Sequence, residues 1–298
     1  MTAMKNKIGM TASERIYQVV IVSVVAVVCL VCLFPFLYVI GMSLTSQGEM
    51  IERNFFVIIP RHPTFRAYEL IFEYGNILQA LMISVARTVL GALAALVLTV
   101  PGGYILSRQD LPGRGAFTVF FLITMILSGG LIPGYLLIKS LHLMDTFWVY
   151  IVPAMGSVFN MLIIKIMVED MPRELMESAD IDGATELQKL VRIALPLLVP
   201  TLCALGLFAA VAQWNSWFDA MLYVQNQNLY PLSYIVKQMM TNINMSDTVG
   251  NIQNAWQRAT PESGKMASVV FATVPILCVY PFLQKYFIYG VFTGSVKG

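Results

Sequence analysis

Six long apolar segments constrain this chain more than any other feature of its sequence. Each is at least 22 residues long, enough for a helix to cross the roughly 30 Å hydrocarbon core of a bilayer. Lipid offers no hydrogen-bond partner to exposed backbone groups, so each span must be a helix. We therefore predict an all-α integral membrane protein with six transmembrane helices in a single domain over residues 1–298. The segments are Ile16–Ile40, Ile77–Leu106, Phe117–Ile138, Phe147–Val168, Ile193–Trp214 and Met266–Tyr289.

The composition supports a membrane protein and excludes other classes. Hydrophobic residues make up 57% of the chain and charged residues 12%, about half the charged fraction of a soluble domain. The net charge of +2 is too small for a nucleic-acid surface. All four cysteines lie inside apolar segments, so no disulfide framework is expected. The first segment lacks a small-residue cleavage site and is expected to remain as a span.

The distribution of basic residues predicts the orientation. The short loop Ser107–Ala116 holds both Arg108 and Arg114, and short loops rich in Arg and Lys stay inside. With six spans, both termini and the loop over residues 171–196 then face the cytoplasm. The long loop over residues 216–265 and a loop with a short amphipathic helix near Tyr68–Tyr74 face outside.

The loop between the fourth and fifth segments is the most polar stretch of the chain. Asp170 is expected to cap a helix that has Pro172 in its first turn. Gly183 is expected to end this helix, since glycine tolerates a positive φ. The helix then has a narrow face of small residues at spacings of three or four, formed by Leu175, Ser178, Ala179 and Asp182, and the carboxylate of Glu177 flanks this face.

Beyond Gly183, a second short amphipathic helix is expected, with Leu187, Leu190 and Val191 on one side. Two interpretations of the whole loop remain open from these residues alone. A helix with a small-residue face fits a groove on a soluble partner, and an ordinary cytoplasmic loop lies on the membrane surface.

The run Glu177–Ala184, followed by Ile193–Pro196, resembles the EAA loop of ABC-importer permeases. The sequence departs from the family pattern at Ser178, where alanine is usual. Other stretches resemble the maltose-type (MalG-like) sugar permeases, including the branch that handles complex oligosaccharides and polysaccharide fragments. These stretches are Gln213–Phe218, Asn228–Leu232, Pro275–Pro281, Gln284–Phe287 and Gly294–Gly298.

This resemblance implies a type I ABC-importer permease fold in a bacterial cytoplasmic membrane. It implies an oligosaccharide substrate and four kinds of partner: a second, homologous permease, two ATPase subunits, an external solute-binding protein and the membrane. ATP and Mg would be bound by the ATPases, because this chain has no phosphate-binding loop and no cofactor of its own. The residues that would couple it to the ATPase are Glu177, Ser178, Ala179, Asp182, Gly183 and Ala184.

Five polar or aromatic residues in or near the spans are candidates for the substrate path. An ionisable residue at membrane depth is a functional candidate by default, although an arginine there also reaches the interface. Amides and indoles in spans either contact sugar, bond neighbouring helices or belong to an interfacial aromatic belt. The candidates are Arg87, Asn160, Gln213, Asn215 and Trp217.

Two other functions remain alternatives. A stand-alone ion-coupled transporter needs an acidic residue well inside a span, and none is evident in the sequence. A membrane enzyme acting on lipid or glycan needs clustered acids or a nucleophile beside a base, and no such group is evident either. No Cys, His or Asp cluster has metal-ligand spacing.

Overall fold

The computed structural model describes residues 12–73, 77–127, 129–242 and 262–278, and the regular elements in these ranges are all helices. A further helix covers residues 262–278. The α-helices are α1 Ala12–Ser43, α2 Gln47–Glu52, α3 Arg66–Glu73, α4 Ile77–Ser107, α5 Arg114–Ile126, α6 Leu131–Ser140, α7 Val158–Glu169, α8 Arg173–Ile181, α9 Glu186–Lys189, α10 Leu195–Asn215, α11 Phe218–Tyr223 and α12 Leu232–Asn242.

Among the described residues, three helices are continuous and apolar enough to cross a membrane: α1, α4 and the run Glu186–Asn215. They coincide with three of the six expected apolar segments. The run Glu186–Asn215 includes a π-helical stretch, Leu190–Ala194, between α9 and α10.

The sequence predicted a single helix for each of the third and fourth segments, but the structure divides both of them. The third is divided into α5 and α6, with Gly130 at φ +87° before α6. The fourth begins as short 3₁₀ turns over residues 147–154 and bends by 43° before α7. The last segment is helical up to residue 278, and the rest of it lies outside the described residues. The described residues hold at most five spans, so the count of six stays a prediction.

The described chain divides into two compact units. The first comprises residues 12–73 and 262–271 and contains α1, α2 and α3. Its α3 confirms the short helix expected near Tyr68–Tyr74. The carboxylate of Glu49 in α2 accepts hydrogen bonds from the backbone N–H groups of Arg61 (2.8 Å) and His62 (3.4 Å). These bonds fold the connection between α2 and α3 back onto α2.

The second unit comprises residues 77–242 and 272–278 and is built on α4, which packs against both α7 and α10. Gly103 lets α4 approach α7 closely, since a Cβ there would lie 2.6 Å from the Met161 carbonyl oxygen. A hydrophobic core cluster of this unit is formed by Val100, Tyr104, Ile164, Val168, Leu190, Ala194, Leu198 and Leu205.

Candidate functional site

A cavity of about 620 Å³ lies in the second unit, between α4, α6, α7, α10 and α11. Three of the five candidate path residues, Arg87, Asn160 and Gln213, line it. Asn215 and Trp217 do not. The Asn215 amide donates to the Val211 carbonyl of its own helix (2.8 Å), and the Lys237 ammonium lies 5.0 Å from the centre of the Trp217 ring.

Arg87 is fully buried in the cavity wall and bound entirely by its own chain. Nε and Nη2 donate to Oε1 of Gln213 at 3.1 and 2.9 Å. Nη2 also donates to Oδ2 of Asp219 (2.5 Å), while Nη1 donates to Oδ1 of Asp219 (3.3 Å) and to the Ser216 carbonyl (3.2 Å). All five N–H groups of the guanidinium are therefore engaged. This cluster ties α4 to the end of α10 and the start of α11.

Two further features hold the cluster in place. The Gln213 amide nitrogen donates to the Tyr150 carbonyl (3.0 Å), and the Arg87 guanidinium carbon lies 4.2 Å from the centre of the Tyr150 ring. Gly91 leaves room for Gln213, because a Cβ there would lie 2.8 Å from its amide carbon.

Asp219 was not among the residues selected from the sequence. The signal that could have found it is Arg87 itself, because a cation at membrane depth needs a counter-charge. Asp219 follows the fifth segment within five residues, and a search for that counter-charge would have reached it.

Asn160 stands in the first turn of α7, on the cavity wall, with 8% of its surface exposed. Its backbone N–H donates to the Ser157 hydroxyl oxygen (3.3 Å), which caps the helix. Its side-chain amide makes no hydrogen bond with the described residues. It therefore differs from Gln213, whose amide oxygen and amide nitrogen both make hydrogen bonds within the chain.

The polar loop forms a helix, a glycine turn and a second helix, as expected. Gly183 has φ +73°, and the Ala184 N–H donates to the Ala179 carbonyl (2.9 Å) to close the end of α8. The expected cap was wrong: Asp170 ends α7, and Pro172 precedes α8 without a side-chain cap bond.

The exposed part of this loop is smaller than the sequence suggested. Glu177, Ser178, Asp182 and Gly183 are exposed, but Ala179 is buried within the chain and Ala184 is half-buried. In the following turn Leu190 is buried while Leu187 and Val191 are exposed, because Leu190 packs into the core of the unit. The exposed surface of the loop also includes Ile181, at 88% exposure.

A cluster of ion pairs anchors the loop to the last turn of α4. The buried Lys189 ammonium lies 2.5 Å from Oδ1 of Asp180 and 2.5 Å from Oε1 of Glu186. The Glu186 carboxylate also accepts from the Tyr104 hydroxyl (2.9 Å) and pairs with Arg108 (3.0 Å). This cluster was not predicted from the sequence. It fixes α8 and α9 to the helix that carries Arg87.

Two local features complete the anchor. The Thr185 hydroxyl accepts from the Gln188 N–H (3.3 Å) while the Gln188 side chain accepts from the Thr185 N–H (2.9 Å), forming a capping box. Arg108 also donates to Asp110 (2.9 Å), which lowers the pKa of the Asp110 carboxyl. In the described part of the chain, no group of three His, Cys, Asp or Glu residues could hold a metal ion.

Comparison with known proteins identifies relatives over nearly the whole chain. Protein LplC of Bacillus subtilis is 41% identical over 268 residues, covering 89% of this chain and 90% of that protein. The polygalacturonan/rhamnogalacturonan transport system permease YtcP of the same organism is 37% identical over 89% of this chain and 93% of its own length.

Solved structures agree with this result. A chain of a bacterial ABC transporter that imports the acidic polysaccharide alginate superimposes with a TM-score of 0.82 at 27% identity, covering 93% of this chain and 99% of that chain. The relatives named by activity are transport permeases, which supports a transport subunit and neither of the two alternative functions. The model of the binding-protein-dependent transport system inner membrane component family matches residues 84–292, and the chain belongs to this family.

Proposed function

We propose that this chain is the permease subunit of an ATP-driven ABC importer that takes up an oligosaccharide or polysaccharide fragment. The observation that carries the proposal is the anchored loop: α8 presents an exposed carboxylate and small side chains to solvent while Lys189, Glu186 and Arg108 fix its base to α4. A surface that is exposed yet rigidly attached is suited to transmit a push from a partner.

The partner at this loop is an ATPase subunit. Glu177 is the exposed carboxylate that pairs with a basic residue of the ATPase, which orients the interface more than it adds affinity. Ser178, Asp182 and Gly183 form the rest of the contact, and Ala179 and Ala184 support the helix from inside. ATP and Mg are bound by two such ATPase subunits.

The remaining partners follow from the topology. Both termini and the loop over residues 171–196 are placed in the cytoplasm by the basic residues of the loop Ser107–Ala116. The outer surface then includes α11 and α12, within the long loop over residues 216–265. An external solute-binding protein docks there, and a second, homologous permease completes the path. Residues 243–261 of this loop lie outside the described residues.

The substrate class rests on the relatives. YtcP is named for polygalacturonan and rhamnogalacturonan, and a relative 27% identical to this chain, AraQ of Bacillus subtilis, is named for arabinooligosaccharides. Both names specify transport of a polymer or oligomer of sugar units, and the structural relative belongs to a transporter that imports alginate. In this chain Arg87, Asn160 and Gln213 belong to the path through their place on the cavity wall, whereas Asn215 and Trp217 belong to its outer margin.

Photo-crosslinking tests the docking assignment. A benzophenone attached at Ser178→Cys, in a chain whose four native cysteines are changed to alanine, should crosslink to the ATPase subunit in the assembled complex. The neighbouring variant Ala179→Cys is the matched control, because that side chain is buried and should give no crosslink. Equal labelling at both positions, or none at Ser178→Cys in an assembled complex, would contradict the assignment.

A further inference from the structure

The fourth apolar segment breaks where it meets the cavity. The short turns over residues 147–154 end before α7 begins at Val158, and Pro153, Ala154 and Ser157 all line the cavity. Broken backbone at membrane depth is tolerated where it lines a cavity, and the start of a half-helix is the positive end of its dipole. The N-terminus of α7 therefore lies on the wall of the cavity.

Independent evidence of a ligand comes from Asn160. The residue is 8% exposed and lines the cavity, and its side-chain amide makes no hydrogen bond with the described residues. The amide is not among the fully buried unpaired groups of the described residues, so it is open to the cavity, and a polar group that enters can pair with it.

The groups available at this point are mainly hydrogen-bond donors. The Ser157 oxygen already accepts from the Asn160 N–H, which leaves the Ser157 proton to donate. The N–H groups of Val158 and Phe159, in the first turn, have no acceptor within the helix. Together with the amide NH₂ of Asn160 and the positive helix end, they favour an anionic acceptor.

The cation in the wall is not available for such a ligand. Arg87 uses all of its donors on Gln213, Asp219 and Ser216, and Asp219 neutralises its charge. Among the described residues that line the cavity, the start of α7 therefore offers an anion donors that the buried guanidinium does not.

We propose that the start of α7, with Asn160 and Ser157, is a subsite for the carboxylate of an acidic sugar unit in the transported oligosaccharide. The inference rests on the proposed function and adds two points to it. The substrate contains a uronic acid, and this permease subunit contacts it directly.

The test is uptake of trigalacturonate, and of its carboxyl-reduced neutral counterpart, by the full importer in proteoliposomes with its binding protein. Asn160→Asp places a carboxylate where the ligand's carboxylate would lie and should reduce trigalacturonate uptake about tenfold or more. Uptake of the neutral sugar should change much less. An acidic residue in the first turn of a helix is stabilising, so the loss cannot come from unfolding of α7.

Two further variants complete the design. Asn160→Ala removes the amide without adding charge and should reduce trigalacturonate uptake less than Asn160→Asp does. Asn54→Asp adds the same charge at an exposed position with φ +50°, which both residues tolerate, and should leave uptake unchanged. ATP hydrolysis in the presence of binding protein reports whether each variant is assembled.

Three results would overturn the inference, and they are distinguishable. Unchanged selectivity in Asn160→Asp would show that the start of α7 is not the subsite. Import of the neutral trisaccharide alone by the wild-type complex would show that the substrate is not acidic and would leave the proposed function standing. Import of no oligosaccharide at all by an assembled complex would contradict the proposed function as well.

Discussion

Two ion-pair clusters hold α4, one around Arg87 in the cavity wall and one around Lys189 beside its last turn. Both cations are buried, but their carboxylate partners differ. The Asp219 side chain is 23% exposed, whereas those of Asp180 and Glu186 are each 54% exposed. The acidic side of the cavity cluster is therefore less exposed to water than the acidic side of the loop cluster.

The difference in exposure determines how much each cluster resists being broken. A charge pair with little exposure is costly to break, because either partner alone is left poorly solvated. Loss of a pair with exposed carboxylates costs less, because water replaces the lost contact. The first arrangement suits a fixed wall around a path, and the second suits a surface attachment that passes on the motion of a partner.

The largest effect is expected at the cavity cluster. Arg87→Met leaves the Asp219 carboxylate without its counter-charge and should reduce the free energy of unfolding by about 3–5 kcal/mol. Thermal unfolding of the purified complex in detergent measures this loss. The double variant Arg87→Met/Asp219→Leu should recover much of it. If Arg87→Met is as stable as the wild type, the Arg87 cluster does not stabilise the packing of α4 against α10 and α11.

A smaller loss is expected at the loop cluster. Lys189→Met should cost about 1–2 kcal/mol, because Asp180 and Glu186 regain water and Glu186 keeps its pairing with Arg108. The same unfolding measurement gives the value. If Lys189→Met destabilises the protein as much as Arg87→Met, the contrast between the two clusters is wrong.

The capping box should contribute less free energy than either cluster, and it should stabilise only the loop. Thr185→Ala removes the hydroxyl that caps α9 and should cost about 1 kcal/mol, seen as faster hydrogen exchange in residues 185–189. Thr185→Ser keeps the cap and is the matched control. Equal exchange in both variants would show that the anchor depends on the ion pairs alone.

The smallest effect concerns acid pH. The hydrogen bond from Arg108 lowers the pKa of Asp110, so this contact stabilises the folded protein above the usual aspartate pKa of about 4. The contribution is lost as the pH falls through the lowered folded-state value. The difference in melting temperature between wild type and Asp110→Asn should therefore shrink below about pH 4. A difference that stays constant down to pH 3 would contradict this pairing.

The sequence predicted the parts of the fold that depend on local composition. Apolar length predicted α1 and α4, and the conformational freedom of Gly183 predicted the turn in the loop. It did not predict the break before α7, because residues 147–168 read as one apolar run and the bend depends on how the cavity wall packs. It also missed Asp219, whose partner Arg87 lies 132 positions away. It missed the cluster around Lys189 as well, which includes a bond between Tyr104 and Glu186, 82 positions apart.

The candidate site was also predicted only in part, because residue type can be read from the sequence but contacts between distant residues cannot. Residue type selected Arg87, Asn160 and Gln213, and all three line the cavity. Residue type alone could not show that Arg87 and Gln213 are bound to their own chain while Asn160 is left open. For Ala179, helical spacing placed it on the exposed face, but packing against its own chain buries it.

The most direct test of the account is sugar-stimulated ATP hydrolysis by the reconstituted complex, measured with uptake, for the wild-type chain and for Glu177→Ala combined with Gly183→Asp. We expect the double variant to assemble with its partners and to lose both stimulated hydrolysis and uptake, because the exposed loop can no longer transmit motion to α4. Unchanged hydrolysis and uptake would show that this loop is not the coupling element.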